Sequence, residues 1–388
     1  MMEMSQHNAS LMECSEVRDD RAAAPSTVDA VINPFSDEVK ERLLQSLPDP
    51  LIDYDGYTES DCEMPDVVPD EAVGLNTELY NVEKCIGEGA FAKIYQASIL
   101  SLYTDDHSNP NHDENDTVVL KVQKQPCPWE FYISRVLHQR LTVMRNPVDV
   151  RASLMYANGM HVFPDGSCLV TKKHENLTLL DAINAYNKTK SVMPEQLLLL
   201  FTIEILHVVE QMHACNIIHG DIKPDNFLLL RAHQEETESH SGNATMTSTK
   251  NIKLIDFGRS IDMQLFPRST TFTATCNTDG FMCPEMQSGR PWTYQTDLFG
   301  VAATVHCLMF GSYMKLYGES GRWKHTSSIK RFYSPRWKTF FDTLLNIPSC
   351  DAIPSLAKLR QDLEESLLTT QTNLHNLEVQ KMKLFSMI

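Results

Sequence analysis

The 388 residues give ample length for a buried core and, at roughly 150 residues per domain, for two or three domains. Hydrophobic residues make up 42% and charged residues 22%, which excludes collagen-like and globally disordered chains. The net charge of −17 is unevenly placed: residues 1–79 hold 19 acids against 4 bases, and the remainder carries only −2. That balance excludes a nucleic-acid-coating protein, which needs clustered Lys and Arg to displace counterions. The 10 cysteines stand singly with no C-x-x-C pair, so no zinc or redox motif is expected and a reducing compartment is the economical reading. Met1-Met2-Glu3-Met4 lacks the basic and apolar regions of a signal peptide. The apolar run Leu197 to Val209 contains Glu204 and His207 and falls short of the roughly 20 residues of a bilayer span, so no membrane association is expected.

In chain order, residues 1–30 are polar and aperiodic and read as disordered. A helix is predicted near 36–47, with Ser36 as N-cap, Asp37 and Glu38 in the first turn, and Val39, Leu43, Leu44 and Leu47 on one face. It is expected to dock on the small lobe of the domain that follows. Pro48 to Pro69 reads as an extended connector. Strands are predicted at Tyr80–Ile86, Ala92–Ile99 and Thr117–Gln123, with a polar loop insertion over 104–116. Glu195–His213 is the clearest long helix, a second polar insertion spans 233–250, and leucines at 356, 359, 363, 367, 374 and 377 mark a terminal helical stretch. An α+β protein follows, with a strand-rich part (about 80–173) ahead of a larger helical part (about 174–388).

The chemistry-bearing residues begin with Ile86-Gly87-Glu88-Gly89-Ala90-Phe91-Ala92-Lys93-Ile94, between two predicted strands. Such a glycine hairpin lets backbone approach phosphate oxygens, though an ordinary glycine turn has the same pattern. Lys121 sits inside the apolar strand Val119-Leu120-Lys121-Val122, nine residues before Glu130. A buried lysine needs a partner, and Glu130 could orient it toward phosphate or simply complement a helix N-terminus. Then come His219-Gly220-Asp221-Ile222-Lys223-Pro224-Asp225-Asn226 and, thirty residues past the Asn, Asp256-Phe257-Gly258. In that order, Asp221 can accept a hydroxyl proton, Lys223 can offset charge on a transferred phosphoryl group, and Asn226 with Asp256 can hold Mg2+. Cys283-Pro284-Glu285 and Asp297-Leu298-Phe299-Gly300 complete the set. Asp297 can be an ordinary helix-capping acid; if the set is that of a protein kinase, it supports the loop of Asp221, and Arg360 is the candidate partner of Glu285.

Across residues 80–388 these motifs resemble the eukaryotic protein kinases. The resemblance implies the two-lobed fold, a small antiparallel β-sheet lobe plus a large helical lobe, with ATP and Mg2+ in the cleft. ATP would contact Ile86, Gly87, Glu88, Gly89, Ala90, Phe91, Ala92, Ile94, Lys121 and Glu130, and Thr171 is the predicted gatekeeper. Catalytic roles fall to Asp221, Lys223 and Asn226, metal binding to Asn226 and Asp256, and Lys223 implies the serine/threonine branch. More narrowly, Pro128-Trp129-Glu130-Phe131-Tyr132, Ser260-Ile261-Asp262-Met263-Gln264-Leu265-Phe266-Pro267 and Asn346-Ile347-Pro348 resemble the Bub family of mitotic spindle-checkpoint kinases, and the acidic leader with Asn33-Pro34-Phe35 resembles that family's extension. This implies Ser/Thr phosphorylation of protein partners, among them a core histone tail, an anaphase-promoting-complex activator and kinetochore checkpoint proteins. It also implies nuclear and cytoplasmic localisation, with kinetochore recruitment in mitosis. The family's upstream helical-repeat domain is not in these 388 residues, so the chain is expected to be part of a longer product or recruited differently.

Two departures stand out. Ala92 replaces a third glycine. Gly220 replaces the arginine that grips an activation-segment phosphate in many kinases, so activity is expected without phosphorylation of Ser269, Thr270, Thr271, Thr273 or Thr275. Rival readings are a catalytically inactive checkpoint scaffold and a small-molecule phosphotransferase. Intact Lys121, Asp221, Asn226 and Asp256 disfavour the first, and the segment ending in Pro284-Glu285 disfavours the second.

Overall fold

The computed structural model describes residues 32–76, 78–89, 91–100, 117–144, 150–231, 250–275, 281–327, 335–368 and 373–388. The leader 1–30, Ala90, the insertions at 104–116 and 233–249, and Thr278, Asp279 and Gly280 lie outside them.

Helix α1 (Asp37–Gln45) starts where predicted, with the Ser36 hydroxyl accepting from the Val39 amide at 3.3 Å. Beyond it the sequence reading needs correcting. Tyr57–Glu59 (β1) and Ala72–Leu75 (β2) are strands of the main sheet, and only part of the stretch between them is connector. They join β3 (Glu78–Glu88), β4 (Ala92–Ile99), β5 (Thr117–Gln123), β6 (Ala157–Phe163) and β7 (Gly166–Lys172) in the order β1-β6-β7-β5-β4-β3-β2. β1 pairs with β6 in parallel, so the sheet of the small lobe is not wholly antiparallel. The two outermost strands therefore come from a segment whose polar, proline-bearing composition hid them. Edge strands need satisfy only one ladder and carry little apolar signal.

The small-lobe helix α2 (Trp129–Met144) packs across this sheet. Tyr54 and Tyr57 of the extension lie 6.4 and 5.6 Å from the Phe131 ring, and Arg135 donates to the Asp55 and Ala157 carbonyls at 2.9 and 3.1 Å. The extension does not stop at the small lobe. Phe35 stacks on Trp292 of the large lobe at 5.6 Å.

The large lobe contains α3 (Leu179–Lys188), α4 (Glu195–Ala214), the short strands β8 (Ile217–Ile218), β9 (Phe227–Leu229), β10 (Ile252–Leu254) and β11 (Ile261–Asp262), then α5 (Pro284–Gln287) and α6 (Gln295–Phe310). A hairpin of β12 (Leu316–Glu319) and β13 (Arg322–His325) precedes α7 (Pro335–Leu345), α8 (Leu356–Leu368) and α9 (Asn373–Met387). Helix α4 is long and apolar enough to cross a membrane by length and composition, contrary to the shorter run read from the sequence, yet 67% of its apolar 18-residue stretch is buried within the protein. Helix α6 is buried from Gln295 to Met309, and a Cβ on its Gly300 would meet the Ile222 carbonyl at 2.6 Å, so glycine lets the helix touch the loop after β8.

The hairpin is tied down by the buried His306 and the half-buried His325. The His306 ring donates through Nδ1 to the Ser312 carbonyl and accepts through Nε2 from the Ser327 hydroxyl, both at 2.9 Å, and His325 packs on Phe341 at 4.7 Å. Burial pushes His306 down from 6.5 to about 4. Between these two values the unfolded chain binds a proton that the native ring refuses. Stability is therefore complete above pH 6.5 and falls by about 3 kcal/mol as the pH drops through this window. Thermal unfolding at pH 7 and pH 5 measures it: His306→Phe should lower the melting temperature at pH 7 and flatten its pH slope, and unchanged slopes would contradict the assignment.

Candidate active site

Strand periodicity places Lys121 at the cleft. Along β5, Val118 and Leu120 point into the small-lobe core, so Lys121 takes the opposite face. Its ammonium lies 2.7 Å from Glu130 Oε2 on α2 and 2.8 Å from Asp256 Oδ1 on the turn after β10. Burial would lower the Lys121 ammonium, but the two carboxylates outweigh it and raise it above its ordinary value. Asp256 shows the complement: burial would raise its carboxyl, while the Lys121 ammonium holds it low, at about 2. Glu130 is fully buried, so removing its cation would leave an uncompensated charge, at about 3–5 kcal/mol. Asp256 also has φ +67°, a left-handed backbone that costs a non-glycine residue about 1–3 kcal/mol and occurs most at functional sites.

The second cluster is the loop after β8. Asp221 Oδ2 accepts from the Lys223 ammonium at 2.8 Å and from Asn226 Nδ2 at 3.2 Å, and Asn226 Nδ2 also bonds the Asp221 carbonyl at 2.8 Å. Asp297 supports this loop as the sequence predicts, its carboxylate accepting the His219 and Gly220 amides at 2.7 and 2.8 Å. His213 binds the same carboxylate at 2.9 Å. His219 donates through Nε2 to the Ile255 carbonyl at 3.1 Å, which couples the loop to the Asp256 turn.

The glycine hairpin is formed by the end of β3 and the start of β4, closed by a Gly89 amide to Ala92 carbonyl bond of 2.8 Å. Phe91 at its tip is 84% exposed, Glu88 is exposed and reaches Lys93 at 3.7 Å, and Ile86 and Ile94 are half-buried. Added Cβ atoms at Gly87 and Gly89 would meet nothing closer than 3.6 and 3.7 Å. Packing therefore does not demand glycine at either position, and the absent side chains leave room for a ligand to approach backbone. Thr171 lies on β7 opposite Val119, beside the strand of Lys121.

Among the described residues no three His, Cys, Asp or Glu side chains converge as a closed metal site. That donor set fits Mg2+ in one way: one ionised carboxylate, Asp256, and the Asn226 amide, with phosphate oxygens and water completing the shell, as magnesium commonly binds.

Several contacts escaped sequence reading. Arg360 does not pair with Glu285: its guanidinium holds Glu210 at 2.9 Å and Glu364 at 2.7 Å. Glu285 is served instead by Arg290, five residues away, at 3.2 Å. A short-range ion pair carries no spacing signature that could have selected it. Arg259, directly after Asp256-Phe257-Gly258, reaches Asp221 Oδ1 at 3.6 Å and lies 5.0 Å over the Phe35 ring. Gly220 has φ +75°, and a Cβ there would meet the Arg259 carbonyl at 2.6 Å and the Phe35 ring at 3.2 Å. The space a longer side chain would need is thus filled by Phe35 from the extension. A cavity of about 470 Å³ lies elsewhere, lined by Arg290, Arg322, Trp323 and Asn346 among others, and includes none of the cleft residues.

Comparison with known proteins agrees with this geometry. The family described as "Protein kinase domain" matches residues 139–372. The mouse "Mitotic checkpoint serine/threonine-protein kinase BUB1" is 39% identical over 374 residues, covering 96% of this chain and 33% of the relative. The Arabidopsis thaliana protein of the same description is 34% identical, covering 89% of this chain and 66% of the relative. The chain thus spans a third of the mouse relative and just under two thirds of the plant one. A solved structure, "Crystal structure of BubR1 kinase domain", superposes with a TM-score of 0.75 at 29% identity, covering 92% of this chain and 99% of that one.

Gly220→Ala should destabilise the protein by about 1–3 kcal/mol, because the substituted residue is both left-handed and in contact with backbone. Urea unfolding measures this, and a variant as stable as wild type would show that the loop can relax.

Proposed function

This chain belongs to the protein kinase family, in its Bub branch, and from that premise we propose that it is an active serine/threonine kinase. It transfers the γ-phosphate of ATP to Ser or Thr of protein substrates, in the mitotic spindle assembly checkpoint and chromosome segregation. The observation that carries this reading is the Lys121 ammonium held between Glu130 and Asp256 while Asp221, Lys223 and Asn226 form a second bonded cluster next to it.

Each residue has a chemical task in this reading. The glycine hairpin covers the phosphates, and Lys121, kept charged by Glu130, binds the α- and β-phosphate oxygens. Asn226 and Asp256 hold Mg2+, which supplies charge neutralisation at the phosphates when bound. Asp221 orients the acceptor hydroxyl and takes its proton, and Lys223 offsets the charge that develops on the transferred group. The site works without an activation-segment phosphate. Phe272 and Trp292 exchange backbone bonds of 2.9 and 2.8 Å, the Trp292 indole donates to the Ala274 carbonyl at 2.8 Å, and Phe266 and Phe35 pack on this pair. Backbone and aromatic contacts thus already anchor the segment carrying Ser269, Thr270, Thr271 and Thr273.

In this reading the chain acts in the nucleus and cytoplasm and at mitotic kinetochores, on substrates such as a core histone tail or an anaphase-promoting-complex activator; its relatives' names support a role in the mitotic checkpoint. Transfer of labelled phosphate from Mg-ATP to such peptides tests the reading. Asp221→Asn and Lys121→Met should each reduce incorporation by about 10²-fold or more, and phosphatase treatment should leave the wild-type rate unchanged. Equal incorporation by wild type and Asp221→Asn would leave only the scaffold.

A further inference from the structure

Two groups of residues have no task in the arrangement so far: Trp129 and Tyr132, on either side of Glu130 and Phe131, and Ser260 to Asp262. They bind each other. Asp262 is wholly buried, and its carboxylate accepts four hydrogen bonds. Oδ1 receives Arg140 Nη1 at 2.8 Å and the Gln264 amide at 3.0 Å, while Oδ2 receives Arg140 Nη2 at 2.7 Å and the Tyr132 hydroxyl at 2.8 Å. All of its roughly four lone-pair sites are occupied, and this is the condition under which a buried charge is tolerated. A third pin runs from the Trp129 indole to the Ser260 carbonyl at 2.7 Å.

Both ends of this cluster lead to the chemistry. Trp129 and Tyr132 flank Glu130 on α2, with Arg140 two turns further along the same helix. On the other side, β11 pairs with β8, the strand that runs into the catalytic loop, and the Ser260 hydroxyl donates to the His219 carbonyl at 3.2 Å. Arg140 Nη1 also donates to the Cys215 carbonyl at the end of α4, at 2.9 Å. The rotation and height of α2 are thereby referred directly to the base of the catalytic loop.

We propose that Asp262 is a positioning residue, which grips Tyr132 and Arg140 so that α2 is held with Glu130 against Lys121 without any phosphate to place it. In kinases at large the Lys–Glu pair is assembled by helix positioning that activation-segment phosphorylation controls. Here Gly220 supplies no guanidinium for a phosphate, and the buried carboxylate does the positioning from inside the fold. Asp262→Asn keeps the volume but removes the charge and turns an amide NH2 toward donors, so two or more of the four bonds are lost and α2 is freed to turn.

The proposal rests on the kinase reading for its catalytic readout, and a second readout is independent of it. Expected for Asp262→Asn is a loss on the order of 10²-fold in kcat, as for a reacting group displaced by about 1 Å. The double variant Asp262→Asn/Glu130→Gln should be little slower than the slower single variant, because both changes break one assembly. Hydrogen–deuterium exchange in Asp262→Asn should accelerate over residues 129–137 of α2. Tyr132→Phe, which removes a single bond, should give a smaller loss with the same non-additivity, and serves if Asp262→Asn fails to fold. Wild-type kcat in Asp262→Asn, or losses that multiply in the double variant, would overturn the proposal. If the wild-type protein transfers no phosphate, the kinase reading falls, and exchange alone decides the lock: unchanged protection of α2 in the variants would overturn it.

Discussion

One ammonium group organises this molecule. Lys121 on the central sheet is shared by a carboxylate from α2 and another from the turn after β10, 135 residues further along the chain. Glu130 is buried and Lys121 nearly so, and either one left without a counter-charge would pay a heavy cost of desolvation, while the half-exposed Asp256 adds a second anion from the large lobe. Sheet, helix and large lobe are therefore locked in relative position by the same group that would bind phosphate. The left-handed backbone at Asp256 belongs to this constraint: the turn is strained, and the bond to Lys121 is among the contacts that hold it.

Around that centre the stretch from Phe35 to Leu75 is an integral part of the fold. Residues 57–59 and 72–75 supply both edges of the sheet, Tyr54 and Tyr57 pack on the outer face of α2, and Phe35 reaches across to Trp292. Helix α2 is thus held on one side by this segment and on the other by the Asp262 cluster. Phe35 also accounts for Gly220. A larger residue there would collide with its ring and with the Arg259 carbonyl, so Gly220 and Phe35 are two halves of one packing arrangement.

The site was more legible than its supports. Lys121, Glu130, Asp221, Asn226 and Asp256, which the structure gathers into two neighbouring bonded clusters, stood out because a motif carries fixed residue types at fixed spacings. Strands β4 and β5 were placed to the residue because alternation in a half-buried strand is a strong signal. Arg360 was assigned to Glu285 on position alone, and the structure turns it toward Glu210 and Glu364. Glu285 takes Arg290 five residues away while Arg360 takes Glu364 one turn along its helix and Glu210 from α4, so which of several reachable partners is used is decided by packing and not by spacing. The same holds for Tyr132, Arg140 and Asp262. The motifs containing Tyr132 and Asp262 were visible, but nothing local to either one reveals that they meet.

The chain's order of residues, taken alone, pointed to candidate chemical groups, to strands β3, β4 and β5 and helices α1 and α4, and to a strand-rich part followed by a helical one. These follow from local stereochemistry and from periodicity, which act over a few residues. Which carboxylate meets which cation, which segment closes the sheet, and what fills the space beside Gly220 were decided only in three dimensions. Those pairings are chosen by burial, where a charge or an aromatic face takes whichever partner the surrounding packing brings within about 3 to 6 Å.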